Sequence, residues 1–186
     1  MEQAALKVLY RAIPNLVPGF ARSSGGEAIP STHRNGMKID SRVESIVRNT
    51  IYPAVISDFA RLDKALQAFP DDETTRKAIE LGLSIVYTLM FDIYEGKPSE
   101  GEIRGVAAEI VRAEAWARPT DEEVSAFLLR LMNGEPFVGV LPIESIIILT
   151  FVVAAHLLSS CRRDDEDWWD YLDRVEAFLE NAYQGG

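Results

Sequence analysis

The chain has one cysteine, Cys161, and only two histidines, His33 and His156, in 186 residues. A single thiol excludes an internal disulfide, and with it the main support for a secreted, disulfide-stapled class. Two imidazoles and one thiol are too few for a zinc site built from several His or Cys ligands. Di-iron bundles place Glu-x-x-His on two helices, but the residues three before His156 and His33 are Val153 and Pro30. No Walker loop, GxGxxG or GxSxG occurs, and Gly96-Lys97 lacks the upstream glycine that a phosphate loop requires. The sequence therefore supplies no catalytic set, no metal and no cofactor, and it points away from an enzyme.

Positive charge is also scarce. Lys and Arg number 19 against 29 Asp and Glu, a net charge of −10. Phosphate contacts need clustered Lys and Arg, so direct nucleic-acid binding is not expected. The imbalance is uneven: residues 1–64 hold 9 basic and 6 acidic side chains, net +3, and residues 65–186 hold 10 and 23, net −13. Such an acidic stretch is either ordinary solvated surface or a face that meets a basic partner. The N-terminus, MEQAALKVLYRAIPNL, carries an acid at position 2 and no long apolar run before a small-residue cleavage site. A secretory leader is not expected, and a cytoplasmic location is.

Long apolar runs are confined to one stretch, LPIESIIILTFVVAAHLLSSC, from Leu141 to Cys161. A membrane span needs ~20 mostly apolar residues. Here Glu144 and His156 interrupt the run, and Arg162-Arg163 lead straight into DDED, cancelling the basic excess that orients a span. A core helix, with no membrane contact, is the reading. Glu144 and His156 stand about 120° apart around such a helix and roughly 18 Å along it, so they share no ligand. His156 alone reads as a hydrogen-bonded core group.

With 47% hydrophobic and 26% charged residues, the composition is globular and disorder is a poor description of the whole. The patterning is helical throughout, without strand signals. A helix over 2–13 is followed by PNLVPGFARSSGGEAIPSTHRNGMKI, residues 14–39, a long aperiodic loop. From Asp40, Val43, Ile46, Val47, Ile51, Ala54, Val55, Phe59, Leu62, Leu66 and Phe69 recur at spacings of three and four, one buried face that Pro53 kinks or divides. Capping-box spacings occur at Ser41/Glu44, Ser99/Glu102 and Thr120/Glu123. The stretch FPDDET opens a central helix to about Glu95, stopped by Gly96 and Pro98. Pro142 starts the apolar helix, and a last helix over about 165–183 carries Trp168, Leu172, Val175, Leu179 and Ala182 on one stripe. The expected fold is all-α: one domain over 1–186, with some seven helices over 40–184 in a compact bundle or orthogonal array.

Two acidic runs, Asp71-Asp72-Glu73 and Asp164-Asp165-Glu166-Asp167, invite a Mg²⁺ reading of the DDxxD kind. The closing carboxylate is missing, since Thr75 and Trp168 occupy the fifth positions. Capping of helix N-termini explains both runs without metal.

Two surfaces remain. In RRDDEDWWDYLDRVEAFLE, a core-facing Trp168 leaves Trp169 about 100° away, flanked by Asp165, Asp167, Asp170 and Asp173. Tryptophan beside charge is a common make-up of binding hot spots, although two indoles also simply cap bundles. In the 14–39 loop, Arg22, His33, Arg34 and Lys38 near Gly25-Gly26 suit an anion or acidic peptide, or the loop is a tether. The leading expectation is a non-enzymatic, acidic helical regulator, inhibitor or immunity-type module binding a basic protein. The alternative is a small-molecule-binding or enzymatic bundle with the 14–39 loop as lid and Tyr87, Asp92, Tyr94 and Glu95 in its pocket.

Overall fold

A computed structural model describes residues 39–137, 139–162 and 165–182. The expected 2–13 helix and all but the last residue of the 14–39 loop, with Arg22, His33, Arg34 and Lys38, lie outside the described residues. Within them the chain is all-helical, with seven α-helices: α1 Ser41–Val55, α2 Phe59–Gln67, α3 Asp72–Ile93, α4 Glu100–Ala113, α5 Asp121–Asn133, α6 Ile143–Ser160 and α7 Trp168–Ala182. A single 3₁₀ turn, Ala115–Ala117, links α4 to α5.

Local chemistry sets the boundaries. Ser99 and Thr120 each accept from the backbone of the Glu three residues on, and that Glu reaches back to the cap, so two of the three expected capping boxes form. The third does not. Asp40, one residue earlier, caps α1 by accepting from Arg42 N at 2.9 Å, which makes Ser41 the first helical residue. Asp71 caps α3 through Thr74 N at 2.7 Å, and Asp167 caps α7 through the amides of Trp169 and Asp170. The acidic runs thus sit at helix starts, where free N–H groups and the dipole favour them.

The apolar stripe read from Val43 to Phe69 is divided just beyond Pro53, at the corner formed by residues 56–58. Ser57 takes a left-handed φ of 56°, and Asp58 starts α2 by accepting from Arg61 N. This corner breaks the helical phase. Phe59, expected on the buried stripe, is instead exposed as the first residue of α2, while Leu62 resumes the core.

Helix α6 is the centre of the fold. It packs on α1, α3, α4, α5 and α7, and ten consecutive residues, Leu149 to Leu158, are buried. Among the described residues it is the one helix long and apolar enough to cross a membrane, and here it serves as the core helix. Its most extensive packing is on α1 and on α3, and α3, buried at residues 81–86 and 88–90, approaches it closely at Gly82. Gly82 permits that approach, because a Cβ there would lie 2.6 Å from Thr150 Cγ2 and 3.6 Å from Phe151. Fully burying each Leu, Ile or Phe at this seam contributes about 1.5–3 kcal/mol before the entropy of ordering is set against it.

Candidate functional site

The first two residues of α7 are both tryptophan. Their ring centroids lie 4.0 Å apart at 31°, and Trp168 stacks on Tyr52 of α1 at 6.2 Å and 20°. Trp168 is half-buried against the core and Trp169 stands outside it. The guanidinium of Arg48 lies 5.4 Å from the centre of the Trp169 ring, a cation–π contact.

Arg48 is held in place by acids from both helices. Its Nη2 bonds to Glu176 and lies 2.5 Å from Asp173, both on α7. Its Nε sits 3.1 Å from Glu44 on α1, close enough for charge attraction although no aligned hydrogen bond forms. Glu176 is buried and its Oε1 has no hydrogen-bond partner. Burial pushes its carboxyl up to about 7, against the opposing pull of Arg48.

Beyond Tyr52, apolar side chains are also exposed at Ile56, the C-cap of α1, and at Phe59 across the α1–α2 corner. Tyr52, Ile56, Phe59 and Trp169 are 37–44% exposed, four of the six exposed large hydrophobic side chains among the described residues. Phe59 meets Trp116 of the 3₁₀ turn edge-on at 6.3 Å. Trp116 Nε1 donates to Glu114 at 2.6 Å, and the other oxygen of Glu114 lies 2.8 Å from Nδ1 of buried His156, whose Nε2 has no partner. Thus His156 is a hydrogen-bonded core group, as expected, and its partner is Glu114, forty-two residues away.

The acids singled out in the sequence have separate local duties. Asp167 is the α7 cap and Asp173 pairs with Arg48. Asp170 accepts weakly from Asp167 N at 3.5 Å, and Asp165 is an exposed turn residue. Together with Trp169 they lie on or just before the first turns of α7. Sequence reasoning missed Tyr52, Ile56 and Arg48. Tyr52 and Ile56 fall outside the Val43–Val47–Ile51 stripe and stand four apart, and that spacing was the available signal.

A second arrangement lies at the C-terminal end of α3. Tyr171 donates to Asp92 Oδ2 at 2.8 Å, Arg174 Nη1 donates to the same oxygen at 3.0 Å, and Arg174 bonds Glu166 through Nε and Nη2 at 3.1 and 3.2 Å. The Tyr171 phenol is pushed up by burial and by Asp92, and the Arg174 guanidinium is raised chiefly by Glu166. A cleft of about 380 Å³ opens here, lined by Asp92, Glu95, Cys161, Tyr171 and Arg174. Asp92 and Glu95 of the expected pocket line it. Tyr87 instead packs on Phe91, and Tyr94 lies 3.5 Å from the Glu102 carbonyl.

No protein-family model, curated protein or solved structure matches this chain.

Proposed function

We propose that the protein is a non-enzymatic interaction module, an acidic helical regulator, inhibitor or immunity-type protein that docks onto a basic partner protein through the N-terminal end of α7. The observation that carries this reading is the Trp169–Trp168–Tyr52 stack, held by Arg48 and set beside the acids of residues 165–173. That segment holds five carboxylates and no base. Rigid aromatics pinned from below offer contact area at little ordering cost, and the surrounding carboxylates steer a basic partner and reject an acidic one.

The test is partner capture with Trp169→Ala, Asp170→Lys. Loss of the partner together with an unchanged helical circular-dichroism spectrum is expected, and undiminished capture would remove α7 as the docking site.

The cleft beside Asp92 favours a second reading, a bundle that binds a small molecule between α3 and α7. Binding would raise Tm logarithmically with free ligand concentration, even beyond saturation. A thermal-shift screen without any stabilising metabolite or divalent ion would end this reading.

A further inference from the structure

The exposed apolar surface extends past the face just described, and its two ends share one construction. At one end, Trp169, stacked on Trp168 and through it on Tyr52, lies over Arg48, which bonds Glu176. At the other, Phe59 rests on Trp116, which is tied through Glu114 to His156. The anchoring pairs contain three buried polar atoms without a hydrogen-bond partner, Arg48 Nε and Glu176 Oε1 at one end and His156 Nε2 at the other. A buried unsatisfied group costs on the order of 1–3 kcal/mol. These costs fall in the pairs that hold the two ends of the ridge on which Tyr52, Ile56 and Phe59 are exposed. Between the ends lies Ser57 at φ 56°, a conformation that disfavours a side chain and that turns Ile56 and Phe59 outward.

We infer that Tyr52, Ile56 and Phe59 form, with Trp169, a continuous docking ridge for an amphipathic, basic helical segment of a partner protein, the apolar stripe of that segment lying along the ridge and its Lys and Arg side chains reaching the acids of residues 165–173. The inference rests on the reading of the chain as a binder of a basic protein and gives that partner a shape. Charge selects the occupant. A second copy docking through its residues 65–186 would bring a net −13 against the same acids, and an anionic membrane or a nucleic acid would be repelled by them. The described residues contain no strand, so they offer no sheet edge for an extended peptide to join. A cationic segment with a helical apolar period satisfies both the ridge and its flank.

The experiment uses the full chain and three synthetic peptides of about 18 residues, roughly five helical turns. The first is built from Leu and Lys at helical spacing, the second is its scramble, and the third has Glu in place of Lys. Binding is read by fluorescence anisotropy for the wild type, Ile56→Asp/Phe59→Ser, Trp169→Ala/Asp170→Lys, and Phe178→Ser at an exposed site on the far half of α7. Circular dichroism and Tm confirm that each variant folds.

The first peptide is expected to bind at least ~10-fold more tightly than the other two, to lose ~10-fold or more in Ile56→Asp/Phe59→Ser, and to be unaffected by Phe178→Ser. If the scramble binds equally, or Phe178→Ser weakens binding as much, the ridge is not the determinant and the inference fails. If only Trp169→Ala/Asp170→Lys weakens binding, the acidic face stands and the ridge extension falls. If only Ile56→Asp/Phe59→Ser does, the ridge stands and the α7 acids are the wrong flank. Sedimentation of the unliganded chain completes the set. A dimer that Ile56→Asp/Phe59→Ser dissolves would make a second copy the occupant and overturn the choice of partner.

Discussion

Glu176 is where single-residue chemistry departs furthest from the ordinary. Its carboxyl titrates near 4.5 in an open chain and near 7 in the fold. Between those values the native state holds the extra proton. The contribution of Glu176 to stability is therefore full below about pH 4.5 and is lost as pH rises to about 7, by ~3 kcal/mol at most. Glu176→Gln keeps the shape and the neutral form. It is expected to flatten the fall in unfolding free energy between pH 5 and 7 and to leave the variant at least as stable as wild type at pH 8. A variant that keeps the wild-type slope, or loses several kcal/mol at pH 8, would mean that the ion pair with Arg48 outweighs burial. None of this was legible in the sequence, where Arg48 and Glu176 lie 128 residues apart and each resembles an ordinary surface charge. The same holds for His156. Its position in a core helix was readable, whereas Glu114 sits in a helix-ending turn that nothing in the spacing connects to it.

At the scale of elements, caps and close approaches decide the outcome. Ser99→Ala and Thr120→Ala are each expected to cost about 1 kcal/mol, since each removes a working box. Ser41→Ala should cost little, because Asp40 holds the cap of α1, and Asp40→Ala should carry the loss instead. Urea midpoints order these four variants directly, and a Ser41 effect equal to that of Thr120 would put the α1 start one residue later. Gly82→Ala gains ~1 kcal/mol of helix propensity but drives a methyl to 2.6 Å from Thr150 Cγ2. The β-branched Thr150 is stiff, so a net loss of ~1–3 kcal/mol is expected. Thr150→Ser in the same chain should return most of it. A stable Gly82→Ala single variant would mean that α3 and α6 stand further apart. The helices themselves were readable because apolar spacing, Pro53, Gly96 and the two boxes all agree. Phe59 was misplaced because one left-handed residue at Ser57 resets the helical phase, and a period carried across such a corner assigns the wrong face.

For the whole molecule, the all-helical class and the central position of α6 follow from composition and apolar periodicity, which depend only on residues near one another in the chain. The candidate surface follows from tertiary packing, which sets Tyr52 of α1 on Trp168 of α7, 116 residues further on. Charge is the remaining global property. A net of −10, with the excess acid in residues 65–186, implies that association with a basic partner is faster and tighter at low ionic strength, because exposed charges are screened over ~10 Å at 0.1 M salt. The most direct measurement is capture from native lysate on the wild type and on Trp169→Ala/Asp170→Lys in parallel, at low and at high salt. The expected result is one stoichiometric protein with a basic surface, retained by the wild type at low salt, weakened at high salt and absent from the variant. An identical set of proteins on both baits, or a sole partner that is acidic and insensitive to salt, would contradict the assignment of α7 as the docking face of an acidic interaction module.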